Sequence, residues 1–265
     1  MKLGANSVLF KEFDLQTAAT QLARCGYDGI EIAAIKGMCE HLELDSWREQ
    51  EDSIRAIVRD SGLSILSMEV ASLDEARLTL AFEAASALEI PVVNVGPGGK
   101  SDVEGDLLAS IDKLSAMADK ASHYGVTLCV KAHVGQSIYN TPTTLRAMES
   151  IASPGFGIDM DPSHIYRANE NPEESVQDVL SRVRHIHIRD CKGRGQGPGS
   201  IELQACGRGD INLMAYCEAL VRGEYDGPVC LEVIGAKGHS LDQVSIVAAE
   251  SYGYLNACLK SLGAR

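Results

Sequence analysis

The sequence predicts an α/β protein built as a (β/α)8 TIM barrel. Short apolar runs alternate eight times with capped or glycine-ended amphipathic stretches. The length, 265 residues, is near the usual size of that fold. No G-x-G-x-x-G follows the first run, which weakens the doubly wound alternative. No linker, low-complexity tract or second core interrupts the pattern, so residues 1–265 are expected to form one domain.

The elements follow in order. Leu3 to Phe10 is the first strand. Asp14 N-caps a helix, its carboxylate accepting from free N–H groups of the first turn; Thr17, three residues on, rules out a capping box. Gly26 stops that helix. "YDGIEI" (27–32) is the second strand, Asp45 to Ser61 a helix ended by Gly62, and "LSILSMEV" (63–70) the third strand. An Ala- and Leu-rich helix spans Leu73 to Leu88 before the fourth strand, "PVVNV" (91–95), which "GPGG" closes. Ser101 and Glu104 read as a capping box opening a helix that ends at Gly125. Val126 to Val130 is the fifth strand, and Thr141-Pro142 and Asn171-Pro172 each put proline at a first helical position. "GFGIDM" (155–160), "VRHIHI" (183–188) and "PVCLEVI" (228–234) are the last three strands. Asp210 caps the helix before the eighth strand, with Gly223 after it, and Ser240 and Gly263 bound the final helix.

Composition narrows the function. Hydrophobic residues at 45% and charged residues at 23% are ordinary for a soluble domain. The net charge of −13 argues against a nucleic-acid partner, which requires a positive footprint. No apolar run is long enough for a bilayer, and Met1-Lys2-Leu3-Gly4 lacks the features of a signal peptide, so no membrane partner is expected. The eight cysteines are scattered without a C-x-x-C, which suits a reduced, cytoplasmic setting.

In a barrel, chemistry sits at the C-terminal ends of the strands. There the sequence places Glu69, Asn94, Lys131 and His133, then Asp159, Asp161 and His164 in "GIDMDPSH", then His185, His187 and Asp190 in "HIHIRD", and Glu232 in "CLEVI". Carboxylates and imidazoles converging on one mouth make a candidate site for Mn, Mg, Co or Zn. Asp159 alone reads equally as a turn cap, and His185 as a core histidine bonded to backbone. Trp47 reads as packing, and the "GPGG" turn as a loop or a close approach to substrate.

"GYDGIEI", "GIDMDPSH", "HIHIRD" and "YDGPVCLEV", in this order and at these intervals, resemble the xylose isomerase-like barrel superfamily, nearer its sugar isomerase/epimerase branch. That branch includes tagatose 3-epimerase, hydroxypyruvate isomerase and inosose dehydratase. The resemblance implies a divalent metal on four residues, three of which carry over as Asp161, His187 and Glu232. It implies a substrate or supporting role for His164. The fourth ligand is a glutamate two residues before a histidine in "E-x-H-x-G", and here the stretch reads "KAHVG", with Lys131 in the ligand's place.

Three readings follow. The metal stays on Asp161, His187 and Glu232, with water or a reoriented His133 completing it and Lys131 moving protons. Alternatively the ammonium replaces the metal and polarises the substrate, a Schiff-base lysine being a variant. In the third, the barrel only binds sugar. The first is preferred. It gives a small polyhydroxy ketone or aldehyde as substrate and proton abstraction next to the carbonyl, with Glu232 and Lys131 catalytic. His133, His164 and Arg208, the last in a G-x-G turn, orient substrate. A lyase or dehydratase acting on a keto-sugar or keto-cyclitol starts from the same enolate. The loop from Gly197 to Asn212 is a candidate lid. A homodimer or homotetramer is compatible with such barrels.

Overall fold

The computed structural model describes residues 1–195 and 197–265. Among the described residues nine strands are formed: β1 (Lys2–Asn6), β2 (Gly29–Ile35), β3 (Cys39–Glu40), β4 (Ser64–Glu69), β5 (Val92–Val95), β6 (Thr127–Lys131), β7 (Phe156–Met160), β8 (Val183–Ile188) and β9 (Pro228–Leu231). β1 pairs in parallel with both β2 and β9, so eight strands close a barrel, while the two-residue β3 folds back antiparallel on β2. Around it run α1 (Leu15–Cys25), α2 (Trp47–Ser61), α3 (Glu75–Ala87), α4 (Glu104–His123) and α5 (Thr141–Ser150). They are followed by α6 (Pro162–Arg167), α7 (Pro172–Val179), α8 (Ile201–Gln204), α9 (Leu213–Arg222) and α10 (Leu241–Ser261). The (β/α)8 barrel expected from the alternation is therefore present, with α6 and α8 added inside its loops. Among the described residues no helix is long and apolar enough to cross a membrane.

Strand alternation separates two environments. Ile30 and Ile32, Leu128 and Val130, and Ile186 and Ile188 point outward into one continuous apolar core beneath the helices, which includes Leu22, Phe82 and Leu114. Trp47 packs against the same core, as expected. The opposite faces point into the barrel. Near its base Gly4 and Gly29 make room for Leu66, since a Cβ on either would stand 2.5 Å from the leucine side chain. Above that layer the interior is polar, with Glu31, Asp159, Asp161, His185 and His187 all fully buried.

Several boundaries differ from expectation for local reasons. The first strand ends at Asn6, whose side chain accepts from the Val8 N–H at 2.9 Å and starts a 3-10 turn over Ser7–Phe10. Asp14 does cap α1. The expected Ser101/Glu104 box does not form: Val103 precedes α4, Asp102 takes a φ of 60°, and Ser101 Oγ donates to the Gln136 carbonyl. Capping boxes stand instead at Asn140/Thr143 and Ser240/Gln243. Pro142 is the second residue of α5, whereas Pro172 opens α7 as expected. Asn212, not Asp210, caps α9; Asp210 accepts from the Gly193 N–H and pairs with Lys192.

Candidate active site

A cavity of about 300 Å³ opens at the C-terminal ends of the strands, and Glu69, Lys131, His133, His164, Arg189 and Glu232 line it. A larger neighbouring groove of about 560 Å³ shares Ile35 and Ala71 with it but none of these charged groups. The cavity therefore carries the chemistry.

Lys131 ends β6 and reaches the cavity floor. Its ammonium donates to Glu232 Oε1 at 2.6 Å, lies 3.4 Å from Glu69 Oε1, and stands 3.2 Å from His187 Nδ1. Burial alone favours the neutral amine, but Glu232 and Glu69 outweigh it and raise the lysine above its usual range. Held as an ammonium, it is not the free amine that a Schiff base requires. Burial also pushes the Glu232 carboxyl up, yet Lys131, Arg189 and His187 hold it well below the carboxylate range. For Glu69 burial wins: although Lys131 pulls it down, burial and the nearby Glu232 push it up to about 7.

Arg189 follows β8 and bridges two carboxylates, with Nη2 3.2 Å from Asp161 Oδ2 and Nη1 3.1 Å from Glu232 Oε2. Its Nε donates to Ser163 Oγ at 2.8 Å. Asp161 meanwhile caps α6, Oδ1 accepting from the Ser163 N–H and hydroxyl. The D-x-x-H segment is thus a helix start, pinned from the strand side by a guanidinium.

His164 packs against His133 with ring centroids 4.1 Å apart and the planes tilted by 39°. Its Nδ1 accepts from the Val134 N–H, and Arg189 Nη2 lies 2.9 Å from Nε2. Burial and the Arg189 charge hold His164 well below its usual value, so the ring is neutral; burial and Lys131 lower His133 as well. The wall of the cavity therefore offers two uncharged imidazoles.

Beneath the floor lies a second polar layer. His187 Nε2 is bonded to Glu31, and its Nδ1 lies 2.6 Å from Asp159 Oδ2 without a hydrogen bond to it. Burial lowers its pKa, but those two carboxylates more than reverse the effect and raise it well above the usual value. Asp159 also accepts from His185 Nδ1 at 2.9 Å, and Ser67 Oγ lies 2.8 Å from His185 Nε2. Asp159 is thus a histidine partner rather than a turn cap, and His185 is satisfied by side chains, not backbone. Asn6 donates to Glu31 at 2.9 Å and to Glu69 at 2.6 Å, which ties this layer to the floor.

The cavity brings together Lys131, His133, His164 and Glu232 of the expected residues. Arg208 is a correction. It lies on the surface, 45% exposed, with Nε bonded to Glu250 Oε1 at 2.6 Å, and it does not line the cavity. The turn that carries it is held away because Asp190 accepts the N–H groups of Gly207 and Ile211. From the candidate lid only Pro198 lines the cavity, and Gly96 of the "GPGG" turn does so too. Arg189 and Glu31 were not singled out from the sequence. Arg189 was legible, because residues 185, 187 and 189 share one strand face at period two.

The family described as xylose isomerase-like TIM barrel matches residues 19–252. The chain belongs to this family. One relative of this xylose isomerase-like barrel is the inosose dehydratase of Geobacillus thermodenitrificans (strain NG80-2), 27% identical over 128 residues. That match covers 48% of this chain and 39% of the dehydratase, so the chain spans less than half the relative's length. Two solved structures share the whole fold. The IolI protein with a bound zinc atom superposes with a TM-score of 0.80 at 18% identity, covering 98% of this chain and 99% of that one. A D-tagatose 3-epimerase-like protein gives 0.76 at 21% identity, covering 99% and 100%. An inosose dehydratase therefore stands among its relatives, and the two solved structures share its fold.

The resemblance read from the sequence implies a divalent ion, and the donor geometry tests it. Three sets of described residues bring donor atoms within 4.8 Å of one another: Glu31, His185 and Cys230; Asp159, His185 and His187; and Glu31, Glu69 and His187. Ligands for an ion are thus available in the barrel. The set implied by the resemblance, Asp161, His187 and Glu232, is not one of the three. Arg189 stands between Asp161 and Glu232, and Lys131 between Glu232 and His187. Those three residues, as arranged, do not fit an ion.

Proposed function

We propose that the chain isomerises or epimerises a small polyhydroxy ketone or aldehyde by removing the proton next to its carbonyl. The observation that carries this reading is the Lys131 ammonium flanked on the cavity floor by two buried carboxylates, Glu232 at 2.6 Å and Glu69 at 3.4 Å. Glu69 is the proton acceptor, since a carboxylate is a useful base when it titrates near the working pH. Glu232, held ionised by Lys131 and Arg189, anchors the ammonium instead.

In this scheme Glu69 takes the α-proton, the C–H electron pair forms the carbon–carbon double bond of an enediolate, and the former carbonyl oxygen takes the negative charge. The Lys131 ammonium stabilises that charge. When Glu69 returns the proton to the former carbonyl carbon while the neighbouring hydroxyl passes its own proton to the former carbonyl oxygen, the substrate is isomerised; return of a solvent proton to the opposite face of the α-carbon, with Glu69 releasing its proton to water, epimerises it. His133 and His164 present neutral rings to the substrate hydroxyls. A divalent ion would supply carbonyl polarisation, and no step above runs through one. A reducing, cytoplasmic setting suits the free cysteines.

The dehydratase relative favours a second reading, in which the same enolate expels a β-hydroxyl that takes the proton held by Glu69 and leaves as water. The test is incubation with D-tagatose, D-fructose and inosose in D2O. Deuterium on the carbon next to the carbonyl without loss of mass supports isomerisation, and loss of water supports elimination. Calorimetric binding of one of these sugars with neither exchange nor loss contradicts both and leaves a sugar-binding barrel.

A further inference from the structure

We propose that Lys131 and Arg189 act as the permanent cations of this cavity and take the place of a divalent ion at Asp161, His187 and Glu232. The inference rests on reading the cavity as the reaction site, and three independent contacts carry it.

First, both carboxylates already face cations. Glu232 Oε1 accepts from the Lys131 ammonium at 2.6 Å, and its Oε2, which has no hydrogen-bond partner among the described residues, lies 3.1 Å from the Arg189 guanidinium. Asp161 spends Oδ1 on the start of α6 and has Arg189 3.2 Å from Oδ2. Second, His187 Nε2 is bonded to Glu31, and its Nδ1 lies 3.2 Å from the Lys131 ammonium and 2.6 Å from Asp159 Oδ2. A metal ligand needs an imidazole lone pair aimed at the ion, and His187 aims neither nitrogen at Asp161 or Glu232. Third, the two cations are fixed rather than incidental. The Lys131 and Arg189 side chains are 7% and 2% exposed, and Arg189 is also bonded to Ser163. A doubly charged ion sharing these oxygens would lie close to both, with little water to screen the repulsion.

The two cations divide the ion's work. Lys131, which meets Glu69 and Glu232 on the floor, faces the oxygen on which charge develops. Arg189 neutralises the Asp161–Glu232 pair that would otherwise attract an ion. An ammonium is a compact point charge, and a guanidinium is a planar fork suited to bridging two carboxylates. Each cation occupies the position its chemistry suits.

The test measures metal content, which does not depend on knowing the substrate. Wild-type protein purified without chelator and then equilibrated with Mn, Co or Zn is expected to hold no stoichiometric ion at this set. The double variant Lys131→Glu/Arg189→Val is expected to gain one ion per chain, visible as cobalt d–d absorption, and to lose it again when Asp161→Ala is added. An ion held by the wild type and released by Asp161→Ala or Glu232→Gln would overturn the proposal. So would a double variant that keeps the wild-type circular dichroism yet takes up no ion. Failure of α-proton exchange with metal content as expected would refute the functional reading alone.

Discussion

Lys131→Met removes one charge from the cavity floor and keeps most of the side chain's apolar stem. In the wild type the ammonium serves Glu232 at 2.6 Å and Glu69 at 3.4 Å, and these three side chains are between 4% and 7% exposed. Water therefore does not replace the lost partner. Breaking a buried pair by removing one member costs about 3–5 kcal/mol. For a chain of this size each kcal/mol moves Tm by about 2–4 °C, so the midpoint falls by about 6–20 °C. The loss depends on pH, and its sign follows from Glu69. Its carboxyl is raised from 4.5 to about 7, so its contribution to stability is fully present below the unfolded value and is lost as pH climbs to about 7. Without the ammonium that pulls Glu69 down, the folded-state value rises further and ionisation costs more. The variant is therefore less destabilised at pH 6 than at pH 8. Adding Glu232→Gln, which removes the carboxylate left with Arg189 as its one remaining ion-pair partner among the described residues, recovers part of the loss. Scanning calorimetry at the two pH values measures all three effects. A midpoint within about 2 °C of wild type at both, the range of an ordinary surface substitution, would refute the reasoning.

Because Glu69 must be ionised to accept a proton, kcat/KM is expected to rise with pH through about 7, and a profile flat from pH 6 to 8 would assign the base elsewhere. Arg208→Ala removes an exposed pair with Glu250 and should leave both the urea midpoint and α-proton exchange at their wild-type values, as urea titration and the exchange assay will show. Gly4→Ala puts a Cβ 2.5 Å from Leu66 Cδ1 and 2.8 Å from Cys230 Sγ at the barrel's base, an overpacking worth about 1–3 kcal/mol by chemical denaturation.

The barrel was readable because its strands are apolar runs with glycine or proline at their edges, and periodicity survives errors of a few residues at either end. What escaped depends on competition between local bonds. Ser101 has the right neighbour for a capping box, but the Gln136 carbonyl takes its hydroxyl. Asp210 has a good capping side chain, but the Gly193 N–H claims it and Asn212 caps α9 instead. At the site, residues that end strands were found by position alone, and Lys131, His133, His164 and Glu232 all reach the cavity. Glu31 was hidden because a single acid inside "IEI" gives no sign of its partners, and His187 stands 156 residues away in the chain. Arg208 was misplaced for the opposite reason: a G-x-G turn marks a bend but not the direction in which its side chain leaves. Arg189 carried a signal in the alternation of "HIHIR", and its partnership with Asp161 and Glu232 required the closed barrel.

The central claim is that Glu69 removes the α-proton while Lys131 stabilises the resulting charge. The most direct measurement is deuterium exchange into whichever of D-tagatose, D-fructose and inosose the wild type labels, repeated with Glu69→Gln. The account predicts that exchange falls by about 10²–10⁴-fold while calorimetric binding of the sugar persists. Exchange at the wild-type rate in Glu69→Gln would contradict it.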